Sequence, residues 1–522
     1  MSNYLRKNSE NTAPGNRRKL WLATGVAGLT GVVSLAGVAA GTSAGAAGAD
    51  RLASLKWSTA EQVTKDAGAG QGSEGEADKG GQGPDARGGQ GKDWQGKDWQ
   101  GKGKDGRDQG GKGKDKDKDE YGPARQLPCD SDVLVEAINR ANLDNGGVFR
   151  LAKDCEYKLT EQTDNNAFPA IDERIVLLGH NSKLVHDGSE LFRFFQVLNG
   201  GELILKDLTL KGGQVTSPPP LTTTANGGAL LVEEGGQAVL KHTKLVDNRA
   251  TGVGATGGNG GAIYNLGDVE IHDSLLADNH ARGTGTPGGN GGAIYNEGTL
   301  TIHKSELADN TATGTGESGG DGGAIANRDN GIVSISHSKI ANNKASNDGG
   351  GIHSDDDGRV TITHSKVIGN VACDDGGGIW NDGDSELTLE HVVVAGNKAT
   401  DDGGGLFHDS SAVVVIRHSK FLDNTAGDNG GGIFNGERMN IYDTEFKGNH
   451  AEEGGAIYNQ NDGVLAIRTS KIVYNFAANE GTATSGAGGI FNENNGTVTL
   501  DDKTIVAKNE PRNCVNVTGC AN

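Results

Sequence analysis

Asp348-Gly-Gly-Gly-Ile352, Arg359-Val-Thr-Ile-Thr-His364-Ser-Lys-Val-Ile-Gly-Asn370 and Asp375-Gly-Gly-Gly-Ile379 follow one another with few residues between. The phrase that opens this stretch reopens it 27 residues later, from Ile352 to Ile379. Working outward, the aliphatic residue of Gly-Gly-Ala-Ile or a close variant falls at Leu230, Ile263, Ile294, Ile325, Ile352, Ile379, Leu406, Ile433, Ile457 and Ile490. A second mark, an apolar residue three before an Asn, trails each phrase, from Leu245/Asn248 through Val367/Asn370 and Phe421/Asn424 to Val506/Asn509. Between the marks lie short alternating runs such as Thr361-Ile362-Thr363 and Val413-Val414-Val415-Ile416. Three strand signals per repeat and no helical period predict one solenoid turn per repeat. The expected fold is all-β, a right-handed parallel β-helix whose rungs stack at ~4.8 Å. About a dozen rungs then give a rod of roughly 55–60 Å.

Composition agrees. The chain has 522 residues, 87 of them Gly, only 5% aromatic, with net charge −20. A single compact core of that length needs more large apolar residues, whereas each rung of a solenoid buries only a thin column against its neighbours. The acidic balance argues against nucleic acid and against general attraction to anionic membranes.

Residues 1–49 read as an export signal. Arg17-Arg18-Lys19 precede an apolar, Gly/Ala-rich stretch, and Ala47-Gly48-Ala49 offer a cleavage site. The Arg pair resembles a twin-arginine signal, but Leu20 and Trp21 depart from that pattern, so the general secretory route stays open. Residues 50–127 hold Gly-Lys-Asp-Trp-Gln twice, with Trp94 and Trp99, and alternating Lys-Asp pairs. So little aliphatic surface cannot offset chain entropy, which predicts a disordered tether. The β-helix domain is expected over 128–522, with clear repeats at 226–509. It is led by a short helix capped by Asp130 or Ser131, with Leu134, Ala137, Ile138 and Ala141 on one face. Such a helix covers the open solenoid end. The mature chain is expected to span no membrane. In an oxidising setting Cys129 and Cys155 are candidates to pair, as are Cys514 and Cys520, leaving Cys373 as a buried or intermolecular thiol.

Gly-Gly-Ala-Ile combined with Phe421-Leu-Asp-Asn424 and Phe446-Lys-Gly-Asn449 resembles the repeats of chlamydial polymorphic outer-membrane proteins. That resemblance implies a parallel β-helix passenger that works in adhesion, carried by a C-terminal barrel. No barrel-like sequence follows Asn509, so the fold is expected to carry over and the secretion route is not. Val135-Glu-Ala-Ile-Asn-Arg-Ala-Asn142 and Cys155-Glu-Tyr-Lys-Leu-Thr160 are similar to the start of many secreted actinobacterial β-helix proteins.

A solenoid turns sequence columns into spatial stripes. Four residues before each aliphatic mark stand Asn226, Asn259, Asn290, Asp321, Asp348, Asp375, Asp402, Asn429, Glu453 and Gly486, and the preceding column adds Asp374, Asp401, Asp428 and Glu452. Asn or Asp before Gly-Gly suits a tight turn, since both tolerate left-handed backbone. Like charges one rung apart cost on the order of 1 kcal/mol per pair even in water. Asn makes the same turn without that cost, so the acids form a candidate binding edge, with Ca²⁺ the candidate cofactor. The edge before Gly-Gly also carries Gly/Thr-rich excursions at 251–258, 282–289 and 313–320. Paired carboxylates admit a polysaccharide hydrolase or lyase as an alternative. Against that, no Gly-His-Gly or Arg-x-Lys partner accompanies the acids, and Arg359 and Arg417 lie on a different strand. No catalytic residue is assigned.

Six residues before the trailing Asn, His337, His364, His391 and His418 fall in register. An exposed stacked turn is the plain reading, and a Zn²⁺ site or an acid-sensitive stripe the sharper one. Two Asn columns are expected to bond up the stack, the trailing Asn and the Asn after Gly-Gly-Ala-Ile, the latter interrupted by Ser354 and His408. These readings predict a secreted or cell-envelope protein that binds an extracellular polysaccharide or a surface protein without catalysis. The enzyme and a structural envelope spacer are the alternatives.

Overall fold

The computed structural model describes residues 120–522 apart from 217–224, 254–256, 285–287, 316–318 and 480–484. The export signal, most of the tether with Trp94 and Trp99, and the middles of the three Gly/Thr excursions lie outside the described residues. The rest is a right-handed parallel β-solenoid of about 13 turns with one helix.

The rung that begins at Ile352 shows how the sequence makes each turn. Ile352–Ser354 belongs to a 12-stranded parallel sheet, in register with Ile379–Asn381 above. Arg359–Thr363 and Lys366–Ile368 belong to two adjoining columns of a 25-stranded sheet. Val371–Ala372 ends a third, six-stranded sheet, which single bridges through Lys398, Thr425 and His450 continue. Alternation sends Val360 and Ile362 inward with Ile352, Val367 and Ala372, each essentially inaccessible to water.

Corners between strands need left-handed backbone, and the sequence supplies it in columns. His337, His364, His391 and His418 have φ between 47 and 55°. At the acidic turn the left-handed residue is the first Gly, not the Asp before it: Gly349, Gly376 and Gly403 have φ of 64–66°. A Cβ on Gly376 would meet the Trp380 Cβ at 2.7 Å, so this glycine also makes room for the residue that follows the buried Ile.

The helix, α1 (Ser131–Leu143), is capped by Asp130, whose carboxylate accepts the N–H groups of Asp132 (3.0 Å) and Val133 (3.2 Å). Its buried face is Leu134, Ala137, Ile138 and Ala141. The first strand, Arg125–Gln126, pairs with Phe149–Arg150, ahead of residue 128. Cys129 is bonded to Cys155 and Cys514 to Cys520, while Cys373 is a free, exposed thiol.

Candidate functional site: the aspartate turn and the histidine corner

The trailing Asn column runs unbroken from Asn248 to Asn509. Asn343 donates from Nδ2 to Asn370 Oδ1 (2.9 Å) and Asn370 to Asn397 Oδ1 (3.0 Å), while each backbone N–H bonds the same oxygen. The second column bonds likewise at Asn265–Asn296–Asn327 and Asn435–Asn459–Asn492. At its interruptions Asn327 donates to Ser354 Oγ and Asn381 meets His408 Nδ1, both at 3.3 Å. Above each interruption a buried amide oxygen, on Asn381 and Asn435, has no hydrogen-bond partner. A third ladder escaped the sequence reading. Ser274, Ser305, Ser338 and Ser365 each accept the backbone N–H of the rung below, at 2.9–3.0 Å. Its signal was the Ser that recurs after the histidine column.

The aspartates form a fourth ladder of the opposite sense, each side chain accepting the N–H of the rung above. Asp348 Oδ1 accepts the Asp375 N–H (3.0 Å), Asp375 Oδ1 that of Asp402 (2.8 Å), and Asp402 Oδ1 that of Asn429 (2.8 Å). Asn226 and Asn259 do this work without charge lower in the stack. Asp321, Asp348 and Asp375 are buried, Asp374, Asp402 and Glu453 are half-buried, and Asp401, Asp428 and Glu452 face solvent. Burial pushes the Asp375 carboxyl up to about 8, reinforced by Asp348, and burial carries Asp402 to about 6. The cation at this turn is Arg328, not Arg359: its Nη2 lies 2.7 Å from Asp321 Oδ2 and its Nη1 3.1 Å from Asp355. Arg359 instead pairs with Glu386 at the surface.

Two groups of metal-ligating side chains converge among the described residues, with ligand atoms all within 4.8 Å of one another: Asp321, Asp348 and His353, and Asp348, Asp374 and Asp375. The second is oxygen-only, the donor type Ca²⁺ takes. Neither includes the histidine corner. There the rings of His337, His364, His391 and His418 stack with centroids 5.1, 4.7 and 4.9 Å apart. Stacking presents the ring faces to one another. His418 Nδ1 instead lies 2.8 Å from Asp443.

Open grooves run along that corner. An open groove of about 630 Å³ crosses several rungs, lined by His242, Lys244, Lys304, His337 and Lys366 and also by Asp273 and the Glu306–Lys339 ion pair. A second, of about 470 Å³, continues the same column past His391, His418, Lys420 and Lys471. Only the histidine component had been singled out from the sequence; the lysines stand two places after the histidines, in Ser338-Lys339, Ser365-Lys366 and Ser419-Lys420.

Stacked rungs, parallel register and buried side-chain ladders define this chain as a parallel β-helix protein. Residues 197–399 match the family model described as a right handed beta helix region. Residues 443–460 match that of the Chlamydia polymorphic membrane protein repeat. No curated protein matches the sequence. Among solved structures, the crystal structure of bacteriophage CBA120 tailspike protein 3 is similar over 74% of this chain, at 12% identity and a TM-score of 0.35. The match spans 59% of the tailspike chain. No helix among the described residues is long and apolar enough to cross a membrane.

Proposed function

We propose that this chain is a secreted or cell-surface β-helix protein that holds an extended extracellular polysaccharide without cleaving it. The observation that carries this reading is the groove on the histidine corner. A linear polymer laid along this groove meets imidazole and ammonium groups at His242/Lys244, His337/Lys339 and His364/Lys366, with Asp273, Lys304 and Glu306 on the two rungs between. Lys244 and Lys366 favour a polymer bearing anionic groups, which the net charge of −20 repels from most of the surface, whereas Lys339 is paired with Glu306 at 2.9 Å. Residues 1–49 as export signal and 50–127 as tether belong to the same reading, and so does an adhesive role like that implied by the polymorphic membrane protein repeats.

The test is retention of the full chain on immobilised acidic and neutral polysaccharides, with and without calcium, with reducing ends and unsaturated products scored. Acidic polymers should retain it, the double variant Lys244→Ala/Lys366→Ala should weaken retention at least tenfold, and no product should form. Product release abolished in Asp375→Asn/Asp402→Asn would replace binding by hydrolysis or lyase chemistry at the acidic edge. Absence of retention on every polymer would leave the spacer.

A further inference from the structure

The residue after each buried Ile points outward and forms a ladder of its own. Tyr264 stacks on Tyr295 at 4.9 Å, and Trp380, Phe407, Phe434, Tyr458 and Phe491 stack at 4.9–6.1 Å. Three rungs depart from it, the first at Leu231, in register with Tyr264. Ala326 removes a ring, and His353, in register above it, replaces one. The His353 ring lies 4.2 Å from Trp380 at an interplanar angle of 10°, which holds its plane. It is 2% exposed, and its Nδ1 has no hydrogen-bond partner. A buried imidazole nitrogen left this way normally costs 1–3 kcal/mol, so it calls for an explanation.

Asp321 and Asp348 supply one. They are 1% and 3% exposed, and their carboxylate oxygens lie with a His353 ring nitrogen inside the 4.8 Å cluster. Asn347 Nδ2 bonds both carboxylates, at 2.7 Å to Asp321 and 3.1 Å to Asp348, and Arg328 holds the other Asp321 oxygen. The backbone N–H groups of Asp348 and Asp375 also donate, to Asp321 Oδ1 and Asp348 Oδ1, so the two acids are held in fixed orientation. Burial holds the His353 imidazole well below its ordinary pKa and therefore neutral, the form that ligates a metal. The ladder function would be met by Asn, as at Asn290, so it does not account for two buried acids beside one buried histidine.

We infer that Asp321, Asp348 and His353 form a binding site for a divalent transition-metal ion of the zinc class. One imidazole nitrogen with two carboxylate oxygens matches the ligands and the ~2.0–2.2 Å bonds that Zn²⁺ takes. Ca²⁺ prefers six to eight oxygens at longer range and gains nothing from the imidazole. A bound ion would clamp two adjacent rungs where the second Asn ladder is broken at Ser354. This site stands independently of the glycan reading, because its occupancy is measured without any polysaccharide.

The experiment loads the metal-stripped full chain with Zn²⁺, or with Co²⁺ as a spectroscopic probe, and measures bound metal after gel filtration. Asp321→Asn and Asp348→Asn keep the ladder acceptor, and His353→Phe keeps a ring on Trp380, so the variants retain the fold, as circular dichroism checks. One Zn²⁺ per chain is expected, with affinity reduced at least tenfold in each variant, unchanged in His364→Asn/His391→Asn, and no retention of Ca²⁺ by these residues. Zinc bound equally by the wild type and His353→Phe would overturn the site. So would zinc lost only in His364→Asn/His391→Asn, or no zinc bound by the wild type.

Discussion

The two asparagine ladders differ in one respect that matters. The trailing column is continuous from Asn248 to Asn509, and each side-chain oxygen takes two N–H groups from the rung below. The column after Gly-Gly-Ala-Ile is broken at Ser354 and His408, and each break orphans the amide oxygen of the rung above. Identical residues in identical strands therefore hold rungs with different security. A ladder transmits satisfaction upward, so one substitution is felt by its neighbour rather than only at its own position. The same comparison places the proposed metal site beside a break, where the side-chain network is weakest.

Breaking the continuous ladder should have the largest effect. Asn370→Ala removes the acceptor for both the N–H and the Nδ2 of Asn343, and the donor to Ile340 O and Asn397 Oδ1. The expected loss is on the order of 3–5 kcal/mol, from two or more buried groups left without partners. Chemical denaturation of the full chain measures it, and a loss below about 1 kcal/mol would mean that water replaces the amide.

The break at His408 should respond to pH. Burial lowers its pKa from the ordinary 6.5 to about 4, against backbone hydrogen bonds that raise it. The unfolded chain takes up this proton near pH 6.5 and the folded chain only near 4. The contribution is therefore fully present above pH 6.5 and is lost as pH falls toward 4, by about 3 kcal/mol. His408→Asn should flatten that part of the pH–stability profile and give Asn435 Oδ1 a donor. An unchanged slope in the variant would assign the acid sensitivity elsewhere.

Repairing the other break should have the smallest effect and the opposite sign. Ser354→Asn places a donor under Asn381 Oδ1, in a column that already holds Asn on the adjacent rungs. A gain of about 1 kcal/mol is expected. A loss instead would show that the turn at Gly358, whose neighbours include Ser354 Oγ and Asn327 Nδ2, leaves no room for the longer side chain.

The repeat, the parallel rungs, both Asn columns and their two breaks were legible because a solenoid maps sequence period directly onto space. The helix was legible too, from its cap and apolar face. The candidate site was legible only in part. The acidic column stood out by charge, but its inner members turned out buried and bonded as a ladder. His353 and Arg328 were missed: His353 stands in a mostly aromatic column that had not been read as one, and Arg328 bonds Asp321, seven residues back, from outside every column that was read. The groove was missed because its lining comes from several columns, and no single column records it.

Sequence alone determined which residues stack on which, since register follows from the hydrophobic period and from the recurrence of Gly-Gly and Asn. Tertiary structure alone decided which oxygen faces an amide of the next rung, which acids lose water, and that His353 meets Asp321 and Asp348. The physical reason is that periodicity assigns a residue to a column, whereas hydrogen bonding, desolvation and ligation depend on side-chain direction and on approaches of a few ångströms between rungs. Those distances are set by left-handed corners and by the small residues that let the backbone close.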